Sequence, residues 1–557
     1  MSSINLLEPN KKLELIFYYS MKNSNKIQCE SSARNISDGW KSGLLNLANI
    51  LFLFFSFTIF FSYFLGVGYS NLNYNSDLVQ PFMQARDLLQ EPSRFNDWYF
   101  SPALYFFPDL IFSVFLVVLP IPNAVLPIIY GALLFTLYSG AGGILISSNM
   151  RVSFVTATNL IAAIILLVGL MSFSYAVKGP ISPLSYVWLA SASIHTGAVL
   201  MTLVSAAIFI NLLTNQARLR WLVVLGVTVY LSSFSDLLFV VWFVVPASII
   251  AILHGISIGG RRSYIYAVTL IVATISALIS ERLIRNVLFS SELDVFSGYM
   301  SPINPIDSVL SFSQELIRAV KMNDYPALIT VGVLIPIGAR AIKICFDLLG
   351  RQPQTVGNYI ELFIAMSCFS ALLTPLATGN YKVVGDWRYF IVIHILIMVW
   401  IVYFISNVIG SIRIVNVVAG LGAGVLIAVS AMTVSEDAIA SVKRLQSPTP
   451  VEICLRQEKR TTGIGDYWTA KLLMFMTRRE IHIVQVREDG YFFRWNYNRR
   501  WFSVRSDNKA PFSPDFIITK NLDPNKLRAR FGDPSRSIVC GDSEIWLYDL
   551  PLRTEGL

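Results

Sequence analysis

The chain carries its apolar residues in long uninterrupted blocks, and these constrain its fold more than any other feature. The blocks are about 18–25 residues long, the length that a helix needs to cross ~30 Å of hydrocarbon. Only helices or closed barrels satisfy the backbone in lipid, and the blocks lack the alternation of barrel strands. Of the 557 residues 54% are hydrophobic and only 14% charged. The sequence therefore predicts a polytopic α-helical membrane protein.

Two of the apolar blocks are too long for a single helix. Residues 221–256 carry Asp236 in their middle and predict two spans that meet at an outer turn. Residues 181–214 allow either two spans or one span entered by a re-entrant segment. With both blocks divided, the sequence predicts about thirteen transmembrane helices. An odd number places the two ends of the chain on opposite sides of the membrane.

The net charge of +9 does not predict a nucleic-acid partner, because many basic residues lie in short loops between apolar blocks. Lys and Arg are enriched in cytoplasmic loops, so these loops mark the cytoplasmic side. They contain Arg218, Arg220, Arg261, Arg262, Arg340, Lys343, Arg351 and Arg413. Counting spans from these loops places the N-terminus inside and the C-terminus outside.

The same patterns divide the chain into three parts. Residues 1–42 form a polar cytoplasmic leader, residues 43–434 a transmembrane domain with its first external loop at 68–108, and residues 435–557 an extracytoplasmic α/β domain. In the last part GDYWTAKLLMFMT has helical spacing, whereas EIHIVQV and SEIWLYDL alternate as strands do. Outside the cytoplasm, Cys454 and Cys540 either form a disulfide or remain two free thiols.

The first external loop is rich in acidic residues. Its middle, LVQPFMQARDLLQ, has helical apolar spacing and is predicted to lie along the membrane surface. A carboxylate near the membrane usually faces a cavity or a partner. Asp77 and Asp109 in this loop, and Asp236 at another outer mouth, are therefore candidate site residues. Asp87 and Asp97 are expected to be solvated loop residues or helix caps.

Two basic residues and a histidine also lie near the predicted outer surface. Lys382 and Arg388, in YKVVGDWRYF, run against the positive-inside trend. They offer a point charge and a bidentate fork that suit a lipid phosphate, and snorkelling to head groups is the alternative. His195, in IHTGA, is either a packing histidine or a polar contact to substrate at the outer cavity.

The motif GIGDYWTAK in the C-terminal part supplies Tyr467, Trp468 and Lys471. Aromatic faces stack on sugar rings and can line a groove, so these three residues are candidate substrate contacts. The alternative is an ordinary core helix.

Six short motifs together resemble the GT-C superfamily of membrane glycosyltransferases, and most closely a bacterial branch of it. That superfamily includes protein mannosyltransferases, oligosaccharyltransferases and the aminoarabinose transferases that modify lipid A. The resemblance lies in an acidic first external loop, many spans and an external C-terminal domain. The motifs are YNSD at 74–77, DWYFSPALYFFPD at 97–109, IHTGA at 194–198, SDLLF at 235–239, WRYF at 387–390 and GIGDYWTAK at 463–471.

The resemblance implies an inverting glycosyltransferase. It would move a sugar from a polyprenyl-phosphate or polyprenyl-diphosphate carrier to a glycan, lipid or protein acceptor. It would lie among the lipids of the bacterial cytoplasmic membrane, with its active site and C-terminal domain facing the periplasm or exterior. Asp77 would act as general base on the acceptor hydroxyl, and Arg388 with Lys382 would meet the charge on the leaving phosphate. Asp109 and Asp236 would orient sugar hydroxyls.

The resemblance leaves a metal open, because some members of the superfamily use Mg²⁺ or Mn²⁺ and others do not. This sequence lacks paired DxD-like carboxylates in its first loop, which disfavours a divalent metal without excluding one. Asp77 and Asp236 would be the ligands if a metal were bound.

Two other functions compete with the glycosyltransferase. One is a transporter or flippase with an accessory domain, which would carry charged residues at mid-membrane, whereas the acids here lie at span ends. The other is a different membrane enzyme or a non-catalytic component of envelope polysaccharide assembly. The sequence has no P-loop, which argues against an ATP-driven pump.

Overall fold

The computed structural model describes ten stretches of the chain and a few single residues between 410 and 446. The stretches are 43–62, 76–147, 152–176, 195–215, 219–288, 304–321, 325–352, 354–382, 384–409 and 446–553. The predicted cytoplasmic leader, the first part of the 181–214 block and nearly all of the last predicted span lie outside the described residues.

Helices make up the region before residue 410, as the apolar blocks predict. Their bounds are α1 Gly43–Ser62, α2 Ser76–Gln90, α3 Phe106–Val118, α4 Leu126–Ser147, α5 Phe154–Ala176, α6 Thr196–Asn215, α7 Leu219–Ser235, α8 Leu237–Ile258, α9 Arg261–Leu288, α10 Pro305–Lys321, α11 Tyr325–Leu349, α12 Val356–Ala377 and α13 Ile391–Ile409. By contacts the chain separates into a short unit that ends at Leu53 and a unit that covers Phe54–Leu557.

Eight helices in the described part of the chain are long and apolar enough to cross a membrane. They are α1, α4, α6, α8, α9, α11, α12 and α13, and α3, α7 and the Phe154–Gly169 part of α5 are apolar but shorter. The prediction of a helical membrane protein is thus confirmed, whereas the count of about thirteen spans is not confirmed by these residues. The 221–256 block divides at the predicted place, because α7 ends at Ser235 and the carboxylate of Asp236 accepts a hydrogen bond from the N–H of Leu238 at the start of α8 (3.0 Å).

The C-terminal part contains helices and a five-stranded sheet whose strand order is β3-β2-β5-β7-β6. Its elements are α14 Pro450–Gln457, β2 Thr462–Asp466, α15 Tyr467–Met476, β3 His482–Val486, β5 Phe516–Ile518, α16 Pro524–Phe531, β6 Arg536–Cys540 and β7 Ser543–Leu547. The strand β2 runs parallel to β3 and β5, and α15 forms the crossover that a parallel pair requires. The strands β5, β7 and β6 are antiparallel neighbours.

The predicted surface helix of the first loop is buried within the protein instead. Ten of the 15 residues of α2 are buried, on both its apolar and its polar sides. The reason is that α15 packs over α2, and the loop adds a strand to the C-terminal domain. This strand, β1 Trp98–Tyr99, pairs antiparallel with β4 Tyr497–Asn498.

A disulfide joins Cys454 of α14 to Cys540 of β6, which decides between the two states left open by the sequence. The bond closes a loop with a sequence separation of 86 residues. In the chain-entropy description, a loop of this length stabilises a domain by about 4 kcal/mol.

We expect the double substitution Cys454→Ser and Cys540→Ser to destabilise the C-terminal domain by about 2–5 kcal/mol, because the unfolded chain regains loop entropy. Hydrogen exchange of the amides in β6 and β7 measures this loss. The matched control is Cys345→Ser, which replaces a half-buried free thiol outside this domain. Equal protection in the double variant and the control would contradict the bridge as a stabilising feature.

Candidate active site where the first loop meets the C-terminal domain

Asp87 connects α2 to the C-terminal domain through a buried ion pair. Its Oδ1 lies 2.6 Å from Nη1 of Arg479, and both side chains are at most 10% exposed. Its Oδ2 accepts hydrogen bonds from Nε1 of Trp98 (3.0 Å) and Nδ2 of Asn498 (3.2 Å). The expectation that Asp87 is a solvated loop residue is therefore wrong. Its buried charge is balanced by partners instead of water, and these come from elements that lie up to about 400 residues later.

Asp97 makes a second connection of the same kind. Its side chain is 3% exposed and is paired with Arg499 (2.7 Å) and Arg500. Asp97 is thus neither solvated nor a simple cap, and the expectation for it is also wrong. Ser101 adds a third bond, because its N–H donates to Oδ1 of Asn496 (2.9 Å).

Asp77 lies in the first turn of α2, against the first turn of α15. The Oγ of Ser76 donates to the carbonyls of Tyr467 (2.6 Å) and Trp468 (2.9 Å), which fixes the two helix ends together. The phenol of Tyr467 donates a short hydrogen bond to Oδ1 of Asp77. Burial and the nearby charge of Asp77 raise the pKa of Tyr467 well above its ordinary value, so this phenol stays protonated and acts as a donor.

Lys471 is completely buried one turn further along α15. Its Nζ donates to Oε1 of Gln80 in α2 (2.7 Å) and lies 3.4 Å from the phenol oxygen of Tyr467. Burial lowers the pKa of Lys471 to about 7, and the charge of Asp77 opposes this shift. By contrast, the ring of Trp468 is 49% exposed and makes an edge contact with Tyr467. Of the three residues predicted from GIGDYWTAK, Trp468 alone presents an exposed surface.

His195 and Asp236 are in contact, as Nδ1 of the imidazole lies 2.7 Å from Oδ2 of the carboxylate. The backbone of His195 has φ 61°, in the left-handed region that side chains of this size rarely adopt. Its ring packs near the rings of Tyr105 (5.5 Å between centroids) and Tyr389 (6.0 Å). A strained residue held between a carboxylate and aromatic rings is typical of a functional site.

Asp109 is buried at the N-terminus of α6, where the helix dipole favours a negative charge. Its Oδ1 accepts hydrogen bonds from the phenol of Tyr130 and from Oγ1 of Thr196 (3.4 Å). Gly197 allows this approach, because a Cβ at that position would lie 2.1 Å from Oδ2 of Asp109. In the motif IHTGA, the residues His195, Thr196 and Gly197 each take part in the contacts at this helix end.

The backbone of Lys382 and the side chain of Arg388 both contact the carboxylate of Asp386. The backbone N–H of Lys382 donates to Oδ2 of Asp386 (2.7 Å), and Nη2 of Arg388 lies 4.0 Å from Oδ1 of the same residue. Arg388 lies in a 3₁₀ segment, Val384–Phe390, that leads into α13, and its guanidinium also lies over the ring of Tyr389. These contacts hold Arg388 beside the ring that packs against His195.

Several of the predicted site residues influence the phenol of Tyr105. Burial raises the pKa of this phenol well above its ordinary value, and the charge of Asp236 raises it further. The charge of Arg388 lowers it, and those of Asp77 and Asp109 raise it. Four residues from separate parts of the sequence therefore act electrostatically on one group. Sequence reasoning missed Tyr105, because nothing distinguishes it from the other aromatic residues of DWYFSPALYFFPD.

The N–H groups of Leu104 and Tyr105 donate to the carbonyl of Ser235 (2.9 and 3.2 Å), and the N–H of Phe107 donates to its hydroxyl (2.5 Å). The motif around SDLLF thus holds Tyr105 in place. Within the described ranges, no group of three or more His, Cys, Asp or Glu residues is arranged to bind a metal ion.

Neither a protein-family model nor a curated protein sequence matches the chain.

We expect Arg479→Ala to loosen the contact between the first loop and the C-terminal domain by about 3–5 kcal/mol, because it leaves the buried charge of Asp87 unpaired. Amides in α2 and β1 should then exchange with solvent far faster than in the parent. The control is Lys520→Ala, which removes an exposed pair with Asp542 and should change nothing measurable. Unchanged exchange in α2 of the Arg479 variant would refute this role for the ion pair.

We expect Gly197→Ala to disrupt the N-terminus of α6, because its Cβ would overlap Oδ2 of Asp109 and Cδ of Pro108 (2.6 Å). The matched control is Gly332→Ala in α11, where a Cβ meets nothing within 4 Å. Thermal unfolding in detergent should show a lower midpoint for the first variant only. A midpoint equal to that of the control would show that the helix end adjusts without cost.

Proposed function

We propose that this protein is a glycosyltransferase of the membrane surface that uses a lipid-linked sugar. The cluster in which Asp236 contacts His195, whose ring packs near those of Tyr105 and Tyr389, with Arg388 over the ring of Tyr389, supports this best. A sugar transfer from a lipid phosphate needs a carboxylate for the acceptor proton and a cation for the leaving phosphate. Both kinds of group are present together, close to the ends of apolar helices, where a lipid carrier exposes its head group.

In the proposed reaction the acceptor hydroxyl attacks the anomeric carbon of the donor sugar. A new carbon–oxygen bond forms there while the bond to the carrier phosphate breaks, and the phosphate leaves with the electron pair. The proton of the hydroxyl passes to Asp77, and the configuration at the anomeric carbon inverts. Arg388 and Lys382 stabilise the charge on the departing phosphate. The hydrogen bond from Tyr467 restrains the carboxylate of Asp77.

Four further residues fit supporting roles in this proposal. The Asp236 carboxylate fixes the imidazole of His195, which can then hydrogen-bond a sugar hydroxyl. Asp109 is engaged with Tyr130 and Thr196, so we assign it to the architecture of the site rather than to the sugar. The exposed ring of Trp468 offers a face on which a sugar can stack.

The disulfide supports an extracytoplasmic position for the C-terminal domain, because such bonds persist in oxidising compartments. The basic loops support the same orientation through the positive-inside rule. We therefore propose that the site faces the exterior of the bacterial cytoplasmic membrane. The acceptor is then a glycan, a lipid or a protein segment on that side.

We expect Asp77→Asn to lower the rate of sugar transfer by about 10²–10⁴-fold, because an amide cannot take the acceptor proton. The assay follows label from polyprenyl-phosphate hexoses and pentoses into the lipid, glycan and protein fractions of membranes that contain the protein. The matched control is Asp533→Asn, which changes a carboxylate that is 87% exposed.

A transfer rate in the Asp77 variant equal to that of the control would exclude Asp77 as the base. If the parent protein moves lipid or solute between membrane faces and never consumes any of these donors, the protein is a transporter and the enzyme assignment fails.

A further inference from the structure

Helix α10 carries a row of apolar side chains that none of the described residues covers. Ile306, Val309, Leu310, Ile317 and Val320 are 45–66% exposed. At ~100° per residue these positions fall on one side of the helix.

Apart from Pro305 and Ser313, the remaining residues of α10 divide into two other sides. One side faces the protein and contains the buried Ser308 and Ala319 and the half-buried Phe312 and Leu316. The other is polar and contains Asp307, Ser311, Gln314, Glu315, Arg318 and Lys321. The helix thus has a protein side, an exposed apolar side and a polar side. A helix at a membrane surface needs this arrangement, because it contacts protein, lipid and water at once.

Contacts on the protein side show where α10 lies. The Oγ of Ser308 donates to the carbonyl of Tyr381 (2.8 Å), just beyond the end of α12. The ring of Phe312 packs on the rings of Tyr381 and Phe390 at 5.7 and 5.6 Å. The other end of α10, at Lys321, lies four residues before Tyr325, where α11 begins.

These anchors place α10 along one face of the membrane rather than across it. Helices α11 and α12 are joined by a short connection and run antiparallel, so the start of α11 and the end of α12 share a face. Both ends of α10 are attached at that face. Its 17 residues extend ~25 Å, less than the ~30 Å of a hydrocarbon core, and it is not among the helices apolar enough to span.

We propose that α10 lies in the membrane interface with its exposed apolar side inserted among the acyl chains. This side continues the lipid-facing surface of α11, where Ile329 and Ile335 are 49% and 74% exposed. Two acidic and two basic residues of α10 balance, so attraction to anionic lipid contributes little. Burial of apolar area therefore holds the helix, whatever the charge of the head groups.

The position of α10 also has a consequence for the route of the lipid carrier. This consequence rests on the proposed function. Phe312 contacts Phe390, two residues beyond Arg388. A lipid carrier whose phosphate approaches Arg388 would therefore pass along α10.

The test measures how deeply spin labels on α10 lie in nanodiscs. Nitroxides are attached at Leu310→Cys and Ile317→Cys on the apolar side and, as the matched control, at Gln314→Cys on the polar side. The full chain is used with Cys29→Ser and Cys345→Ser, and its disulfide is retained. Collisions with oxygen, which dissolves in lipid, are compared with collisions with a water-soluble nickel chelate.

We expect the ratio of oxygen to chelate collisions to be on the order of tenfold higher at positions 310 and 317 than at 314, because hydrocarbon excludes the polar chelate. The ratios should be the same in phosphatidylcholine and in phosphatidylcholine with phosphatidylglycerol. Equal ratios at all three positions would overturn the proposal. Shielding of 310 and 317 from both reagents would also overturn it, since a second copy of the chain would then cover the stripe. No sugar donor is used, so the result is independent of the proposed reaction.

Discussion

The buried ion pair between Asp87 and Arg479 holds the arrangement of this protein together. Two charges removed from water are tolerated only if each has its partner and further hydrogen bonds. Asp87 obtains these from Trp98 and Asn498, and Arg479 donates to the carbonyl of Met83 (3.3 Å). Neither group can leave without stranding the other. The Asp97 pairs, the β1–β4 pairing and the bonds of Ser76 to α15 reinforce this connection.

The membrane helices could be predicted because one physical requirement, length in hydrocarbon, acts on contiguous residues. The division of the 221–256 block at Asp236 follows from the same reasoning, since a carboxylate seldom lies in mid-membrane. The burial of Asp87 and Asp97 could not be predicted. Their partners, Arg479 and Arg499, lie about 400 residues away in sequence, and no local pattern connects them. The burial of α2 within the protein could not be predicted for the same reason.

In the candidate site, too, the sequence indicates which residues matter but not how they are arranged. Residue type and position near a span end identified Asp77, Asp236, His195 and Arg388 separately. Their mutual contacts depend on how the helix ends meet, which the sequence does not state. The distinction between buried Lys471 and exposed Trp468 also required the structure. The burial of Lys471 and the exposure of Trp468 both follow from the packing of α15 on α2. Each helix alone shows only an amphipathic pattern.

The hydrogen bond between Asp77 and Tyr467 joins residues 390 positions apart. During synthesis, α2 is therefore made long before α15 exists. Contacts of such separation form late, because the closure of a long loop must precede them. Under the proposed function, an unfinished chain in the membrane has its carboxylate but not the partner that orients it. Biogenesis would then delay activity until the C-terminal domain is complete, which protects scarce lipid carriers from partly made protein.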